Sequence, residues 1–345
     1  MIFNKFKILI LVCFSPAISY SQVGGDNIYE FLNLVSSAKI AAVGGQNISI
    51  TDNDVNFAVW NPALLKENMN NQLALNYVNY FAGINYGSAS YMKRFEKIGN
   101  FSSSIKYVDY GSFIAADPSG TITGVFYASD YLLQLGWGMP IDSNFSVGAN
   151  FKNIYSVYES YSSFGVAFDI AALYYNKSKQ ISATLLVKNA GLQLKSYTKG
   201  NREPLPFEIQ AGFTTKLGYA PLRWSITLEH LEKFDLTYES ELNQQVDPLT
   251  GEEIESSIGF GNKLMRHVII GGEVLFSKNF NIQFGYNFRR RQELKLIDYE
   301  KTVGLSFGTT MKISKFDISY SRASFHAVGP SNYFSVVVNI DEWIK

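Results

Sequence analysis

The chain has 345 residues, with 30 Lys and Arg against 30 Asp and Glu, so no strongly basic face for nucleic acid and no strongly charged ligand is indicated. Aromatic residues make up 15% of it, with 22 Tyr and 26 Phe, an excess that suits girdles at two membrane interfaces better than a soluble enzyme. The only cysteine is Cys13, which excludes an internal disulfide or a thiolate metal site in the rest of the chain.

The first residues read as a signal peptide covering residues 1–21. Lys5 and Lys7 precede an apolar run from Ile8 to Phe14, and Ser19-Tyr20-Ser21 supplies small residues for cleavage before Gln22. The run is too short to span a bilayer as a helix, which needs ~20 apolar residues. Cys13 lies inside the run with Val12 before it, so a lipoprotein anchor is not expected. No other stretch is apolar for long enough to form a transmembrane helix.

Residues 22–72 form a segment apart. Ile28 to Ala42 is amphipathic, with Ile28, Phe31, Leu32, Val35, Ala38 and Ala42 able to share one helix face. Gly44-Gly45 and Asn61-Pro62-Ala63 follow. The segment is expected to fold into the periplasmic mouth of a barrel as a hatch.

From Leu73 onward the period is two. Phe145, Val147, Ala149 and Phe151 alternate with Ser146, Gly148, Asn150 and Lys152, and Phe207, Ile209, Ala211 and Phe213 alternate with Glu208, Gln210, Gly212 and Thr214. Such segments have one apolar and one polar face. A soluble sandwich has the same alternation, but its strands are usually about five or six residues long. These segments are longer, and their polar faces carry Gly, Ser, Asn, Gln and both signs of charge, as a wet lumen would. Strands are read at 73–81, 85–94, 99–110, 129–139, 144–158, 162–176, 180–190, 205–217, 222–238, 265–277, 279–292, 302–313, 315–327 and 331–341. The expected fold is all-β, a transmembrane antiparallel barrel of about 14 strands over residues 73–345 with the hatch before it.

The connections alternate in length. Phe95–Ile98, Pro140–Ser143, Lys177–Lys179, Gly218–Pro221, Lys278 and Ser314 are short, whereas Gly111–Ala128, Gly191–Pro204 and Glu239–Leu264 are long. Ala82–Ile84 is a short connection among the long ones. Outer-membrane barrels have short periplasmic turns and longer outer loops, which puts both termini on the periplasmic side. The three long connections are the candidate docking surface.

Residues that could carry chemistry are sparse. His230, His267 and His326 lie far apart, so no zinc site, no cofactor and no enzymatic activity are expected. No nucleophile elbow and no phosphate-binding loop is present, and Gly259-Phe260-Gly261 reads as a flexible loop. Asp247 to Glu253 is acidic but lacks calcium-loop spacing, so it reads as a hairpin tip. Arg289-Arg290-Arg291 at a strand end suits either lipopolysaccharide phosphates or anchoring at the interface. Glu208, Arg223 and Glu229 lie on polar faces of neighbouring strands and suit a salt bridge in the lumen. Tyr77, Tyr80, Phe81, Tyr86 and Tyr91 read as girdle.

Several blocks resemble the PorQ family. They are Val23-Gly24-Gly25, Phe31-Leu32-Asn33-Leu34, Ala41-Ala42-Val43-Gly44-Gly45, Gln72 to Tyr80, Glu159 to Gly165, Leu205-Pro206-Phe207-Glu208-Ile209-Gln210, Arg266-His267-Val268-Ile269 and Gly285 to Arg290. Asn61-Pro62-Ala63 is shared with a wider group that includes PorV and the long-chain fatty-acid transporters. The resemblance implies a component of the type IX secretion system of Bacteroidota, seated in the cell outer membrane. It implies an attachment complex with PorU, PorV and a PorZ-like surface protein that this chain would anchor, and it carries no catalytic residues. The alternative function is an outer-membrane transporter of hydrophobic small molecules such as long-chain fatty acids.

Overall fold

The computed structural model describes residues 27–237, 259–294, 302–325 and 329–343. The expected signal peptide, most of the expected long connection Glu239–Leu264 with its acidic run from Asp247 to Glu253, and His326 lie outside the described residues.

Fourteen strands form one closed antiparallel barrel, each pairing with its sequence neighbours and β1 closing on β14. They are β1 (Gln72–Asn79), β2 (Asn85–Phe95), β3 (Gly99–Ala116), β4 (Ile122–Pro140), β5 (Phe145–Tyr158), β6 (Tyr161–Asn176), β7 (Ile181–Lys195), β8 (Glu208–Lys216), β9 (Leu222–Leu228), β10 (Val268–Val274), β11 (Phe280–Asn287), β12 (Leu305–Ile313), β13 (Phe316–Ala323) and β14 (Ser331–Asn339). Closure leaves no unpaired sheet edge, the condition for crossing lipid with strands. The number of strands, their order and the fold class match the expectation from period two.

The alternation of side chains is the expected one. On β5, Gly148, Asn150, Lys152, Ile154 and Ser156 turn inward and are buried, while Phe145 and Tyr155 face out. The outer surface carries an apolar belt that includes Ile105, Leu133, Leu135, Ile170, Leu185, Phe307 and Phe334. Aromatic pairs flank it. Phe95–Phe101, Phe145–Tyr174, Phe213–Trp224 and Phe316–Trp343 ring the end that carries the short turns. Tyr107, Tyr131 and Tyr155 stack across three strands toward the other end, with centroids 5.0 and 6.2 Å apart.

The wall differs from the sequence reading in height. β3 and β4 run for 18 and 19 residues, so most of the expected loop Gly111–Ala128 is hairpin, with its turn at residues 117–121. A register shift between Asp109 and Ser112 lets the ladder continue past Gly111. β7 likewise runs to Lys195, into the expected loop Gly191–Pro204. On the opposite side β9 stops at Leu228, because His230 takes a left-handed backbone with φ 55°. β11 stops at Asn287, whose side chain accepts from the Arg290 amide and caps the short helix Phe288–Glu293. Gly259-Phe260-Gly261 opens another short helix, Phe260–Met265, rather than a flexible loop.

The hatch fills the barrel instead of covering its mouth. Its first described residues sit at the long-loop end, where the Ile28 amide donates to Pro204 and Gly165 on β6 packs near Tyr29. Its last residues reach the short-turn end, where Leu65 accepts from Asn100 and Ser146 donates to Ala63. The expected helix from Ile28 to Ala42 is broken. A 3-10 turn at Glu30–Asn33 and the helix α1 (Ala38–Ala42) are joined by extended chain. Wall donors account for the break: Lys106 takes the Leu34 carbonyl and Tyr86 the Val35 carbonyl, oxygens a continuous helix would have used.

Backbone approaches are closest at two glycines. A Cβ at Gly148 on β5 would strike the backbone of Pro62 and Ala63, and one at Gly285 on β11 the backbone of Val43 and Gly44. No other residue fits where plug and wall meet backbone to backbone.

Candidate functional site

A lumen closed off from water must satisfy its polar groups internally. Here the hatch supplies the partners. The Ala38 amide donates to Ser335 Oγ at 2.9 Å on β14, and Ser306 Oγ on β12 donates to Ala42 at 2.8 Å. Asn47 donates to Ser225 at 2.8 Å on β9, Ser49 and Thr214 hydroxyls meet at 2.7 Å, and Gln134 on β4 donates to Val59 at 2.7 Å. Asn76 on β1 donates to Asn56 at 2.7 Å. The residues 55–60 holding these last contacts form helix α2 (Val55–Trp60), capped by Asp54. Asn61 closes the turn that follows: its amide donates to Ile48 and its carbonyl accepts from Ala63.

Ion pairs reinforce the plug. Asp52 accepts from both terminal nitrogens of Arg223 on β9, at 2.6 and 2.8 Å, and Arg223 Nε pairs with Glu273 on β10. Burial alone would raise the Asp52 carboxyl, but the Arg223 guanidinium holds it well below the usual carboxylate range. Within the hatch, Lys39 pairs with Asp54 at 2.9 Å. Burial opposes the Lys39 charge, yet Asp54 and Asp52 outweigh it and raise its pKa. Lys66 is different. Burial dominates and pushes its ammonium down to about 8, while its Nζ donates to the Thr51 carbonyl at 2.7 Å.

Two hollows lie against the hatch, each with both polar and apolar walls. A cavity of about 40 Å³ lies between hatch and wall, lined by Trp60, Lys106, Gln134, Lys152, Asp169 and Lys188. Lys152 pairs with Asp169 at 2.8 Å, and Lys188 stands over the Trp60 ring at 4.1 Å. A register shift at Phe168/Ile170 turns both Lys188 and Asn189 inward, which places this charge. A second hollow of about 280 Å³ at the short-turn end is lined by Lys66, Glu67, Arg94, Asn100, Asp142 and Tyr175. Sites for drug-sized apolar molecules are ~300–1,000 Å³ and mostly apolar.

The residues singled out in the sequence are distributed as follows. Glu208 and Glu229 meet, but Arg223 lies with Asp52 and Glu273 instead. Lys188 stands 3.8 Å from Glu208, and Arg289 pairs with Glu229 at 2.8 Å. Arg290 donates to the Phe325 carbonyl and covers its ring. Arg289 and Arg290 are thus internal to the fold, in a helix rather than at a strand end. Tyr77 faces out as girdle, whereas Tyr86 is buried in the lumen and donates to Val35. His267 is tied to the Glu229 and Phe234 carbonyls. His230 joins Glu208 and Glu229, a meeting that sequence distance concealed. Asp52, Lys39 and the lysine-lined cavity carried no sequence signal, because their partners lie on other strands.

A closed fourteen-stranded barrel with an apolar belt, aromatic girdles and a plugged lumen defines an outer-membrane-type β-barrel. Neither a family model nor a curated protein matches the chain. Among solved structures it is similar to the Ralstonia pickettii toluene transporter TbuX, with TM-score 0.50 and 12% identity over 89% of this chain and 98% of that one. The Pseudomonas putida toluene transporter TodX aligns at TM-score 0.48 and 12% identity over 87% and 96%. A Pseudomonas aeruginosa FadL homologue aligns at 0.48 and 10% over 88% and 98%.

Proposed function

We propose that this chain is an outer-membrane barrel of the type IX secretion and cell-surface attachment machinery, and that it anchors a PorZ-like surface partner alongside PorU and PorV. The observation that carries this reading is the filled lumen. Among the described residues the hatch runs through the barrel from one end to the other, leaving a cavity of about 40 Å³ against the wall and a hollow of about 280 Å³ at the short-turn end. A barrel without a passage works at its rim, and exposed loops on a rigid scaffold are where binding resides. The rim has a suitable feature in the β3–β4 hairpin, whose outward residues Ile114, Ile122, Val125 and Tyr127 are exposed. The blocks that resemble PorQ support the same reading. The role is non-enzymatic.

A clean deletion followed by a count of proteins retained in the periplasm tests it. Retention of many C-terminally tagged surface proteins is expected. A defect confined to lipid uptake overturns the reading.

The second reading is import of hydrophobic small molecules such as long-chain fatty acids. The likeness of fold to TbuX favours it over secretion. It requires a path that the hatch now occupies with hydrogen-bonded polar groups. Growth of the deletion strain on long-chain fatty acids as sole carbon source separates the two.

A further inference from the structure

Where β8 begins and β9 ends, at the long-loop end, three side chains converge away from the hatch ion pairs. Glu208 is 1% exposed and Glu229 is 0% exposed. One oxygen from each and one ring nitrogen of His230 all lie within 4.8 Å of one another.

Each of the three has one polar atom already committed. Glu208 Oε1 accepts from the Gln210 amide at 2.7 Å, and Glu229 Oε1 accepts from Arg289 Nε at 2.8 Å. His230 Nδ1 lies 2.9 Å from Glu232 Oε1. The other atom of each is left over. Glu208 Oε2 and Glu229 Oε2 are buried and receive no hydrogen bond. His230 Nε2 stands 3.9 Å from Glu208 Oε1. Lys188 does not fill the gap: its Nζ is 3.8 Å from Glu208 Oε2 and over the Trp60 ring. Leaving a buried charged acceptor without a donor costs ~1–3 kcal/mol or more, so two carboxylates that approach each other with one such oxygen apiece call for a cation.

The surrounding charge agrees. Glu208 and Glu229 within this group, Glu232 against His230, and Glu293 behind Arg289 are four carboxylates, against the two cations Lys188 and Arg289. Two negative charges remain when His230 is neutral. The backbone is also fixed: Glu229 is clasped by His267 through its amide and its carbonyl, and His230 is held at φ 55°.

We propose that Glu208, Glu229 and His230 bind one divalent transition-metal ion of the zinc class. Two carboxylate oxygens and an imidazole nitrogen with a fourth position open are a ligand set this class takes. Glu232 acts from behind: by accepting Nδ1–H it fixes the tautomer that leaves Nε2 free for the ion. Ligand atoms around a tetrahedral ion at ~2.0–2.2 Å are themselves ~3.3 Å apart, so binding draws the three side chains together. The ion would tie the first residue of β8 to the end of β9 and clamp the root of the long connection between β9 and β10.

The full mature protein, purified in detergent and freed of metal with chelator, is titrated with Zn²⁺ alone by calorimetry and then assayed for bound metal. One equivalent and a raised melting temperature are expected. H230A should abolish the site. E232Q should weaken it by about 10–100-fold, the usual effect of losing an outer carboxylate. His230 is partly exposed, with 21% of its side chain accessible, so H230A is the variant least at risk of misfolding, and retention of heat-modifiable mobility on gels verifies its barrel. Co²⁺ in place of Zn²⁺ should give a visible absorption band that H230A lacks. Absence of saturable Zn²⁺ binding, unchanged affinity in folded H230A, or a preference for Ca²⁺ over Zn²⁺ overturns the proposal.

Discussion

The guanidinium of Arg223 grips both carboxylate oxygens of Asp52, at 2.6 and 2.8 Å, and so bolts the barrel wall to the plug near the short-turn end. The same group pairs through Nε with Glu273, whose side chain is 3% exposed. Removing Arg223 therefore strands a buried carboxylate, which removing Asp52 does not. Breaking a buried pair from the side that leaves a charge behind costs ~3–5 kcal/mol. R223Q should lose about that much in urea unfolding followed in detergent, and D52N markedly less. Equal losses would show that Glu273 does not depend on Arg223.

The same pair sets a response to acid. The Asp52 pKa is depressed in the folded protein, so its stabilisation is complete above the unfolded value of ~3.9 and disappears as the pH falls through the lower folded value. The melting temperature of the wild type should fall relative to D52N only below about pH 4. Convergence of the two curves at pH 6 would be inconsistent with a depressed carboxyl.

Lys66 responds at the alkaline end instead. Burial lowers its folded pKa to about 8, beneath the unfolded ~10.4, so below pH 8 the folded state carries the full cost of a buried charge. Between about 8 and 10 the unfolded chain holds more protons and folding is favoured by rising pH. Wild type should gain melting temperature on K66M as the pH rises from 7 to 10. A constant gap across that range would contradict the burial.

Gly148 tests the fit of the plug. G148A puts a methyl into the backbone of Pro62 and Ala63, and overpacking of this kind costs typically ~1–3 kcal/mol. Gly124, in the projecting hairpin, has open space around its missing Cβ, so G124A should stay within about 0.5 kcal/mol of wild type. Single-channel recording in planar bilayers should show leak currents for G148A and none for G124A. Deleting residues 27–71 should give a steadily open pore, since a barrel of this strand number is too wide for wall side chains alone to fill.

The projecting hairpin allows the proposed partner binding to be tested apart from membrane anchoring. Ile114 and Val125 are paired, outward and exposed at 69% and 59%. The double variant I114E/V125E should release the surface partner in co-purification while the barrel melts as before. If these residues instead sat in lipid, the two carboxylates would lower the melting temperature of the barrel, each costing less than the ~2–4 kcal/mol that a lysine or arginine costs at the midplane.

The wall was legible in the sequence because lipid imposes one rule on every strand. Apolar residues face out along the whole circumference, so period two survives from β1 to β14. The hatch obeys no such rule. It is buried all round, and its backbone bonds go to wall side chains such as Lys106 and Tyr86, so a helical pattern in Ile28 to Ala42 predicted a helix that those donors interrupt. The hairpin around Gly111 was masked by turn-forming residues, although only Asp117 to Thr121 turns. The partners of Arg223 and His230 depend on register and on the plug's path, which are tertiary facts. Asp52 is 171 residues from Arg223 in sequence.

Closure of β1 on β14 has a consequence for how the molecule is made. The plug precedes every strand in the chain, and the last strand completes the ring around it. Asn71 marks the join, accepting the Ile340 amide through its carbonyl at 2.9 Å and donating to Asp341 at 2.5 Å. The ring therefore has a single seam between the first and the last strand, and the plug's chain enters the wall at that seam, as the contents of a cask would be tied to the stave that closes it.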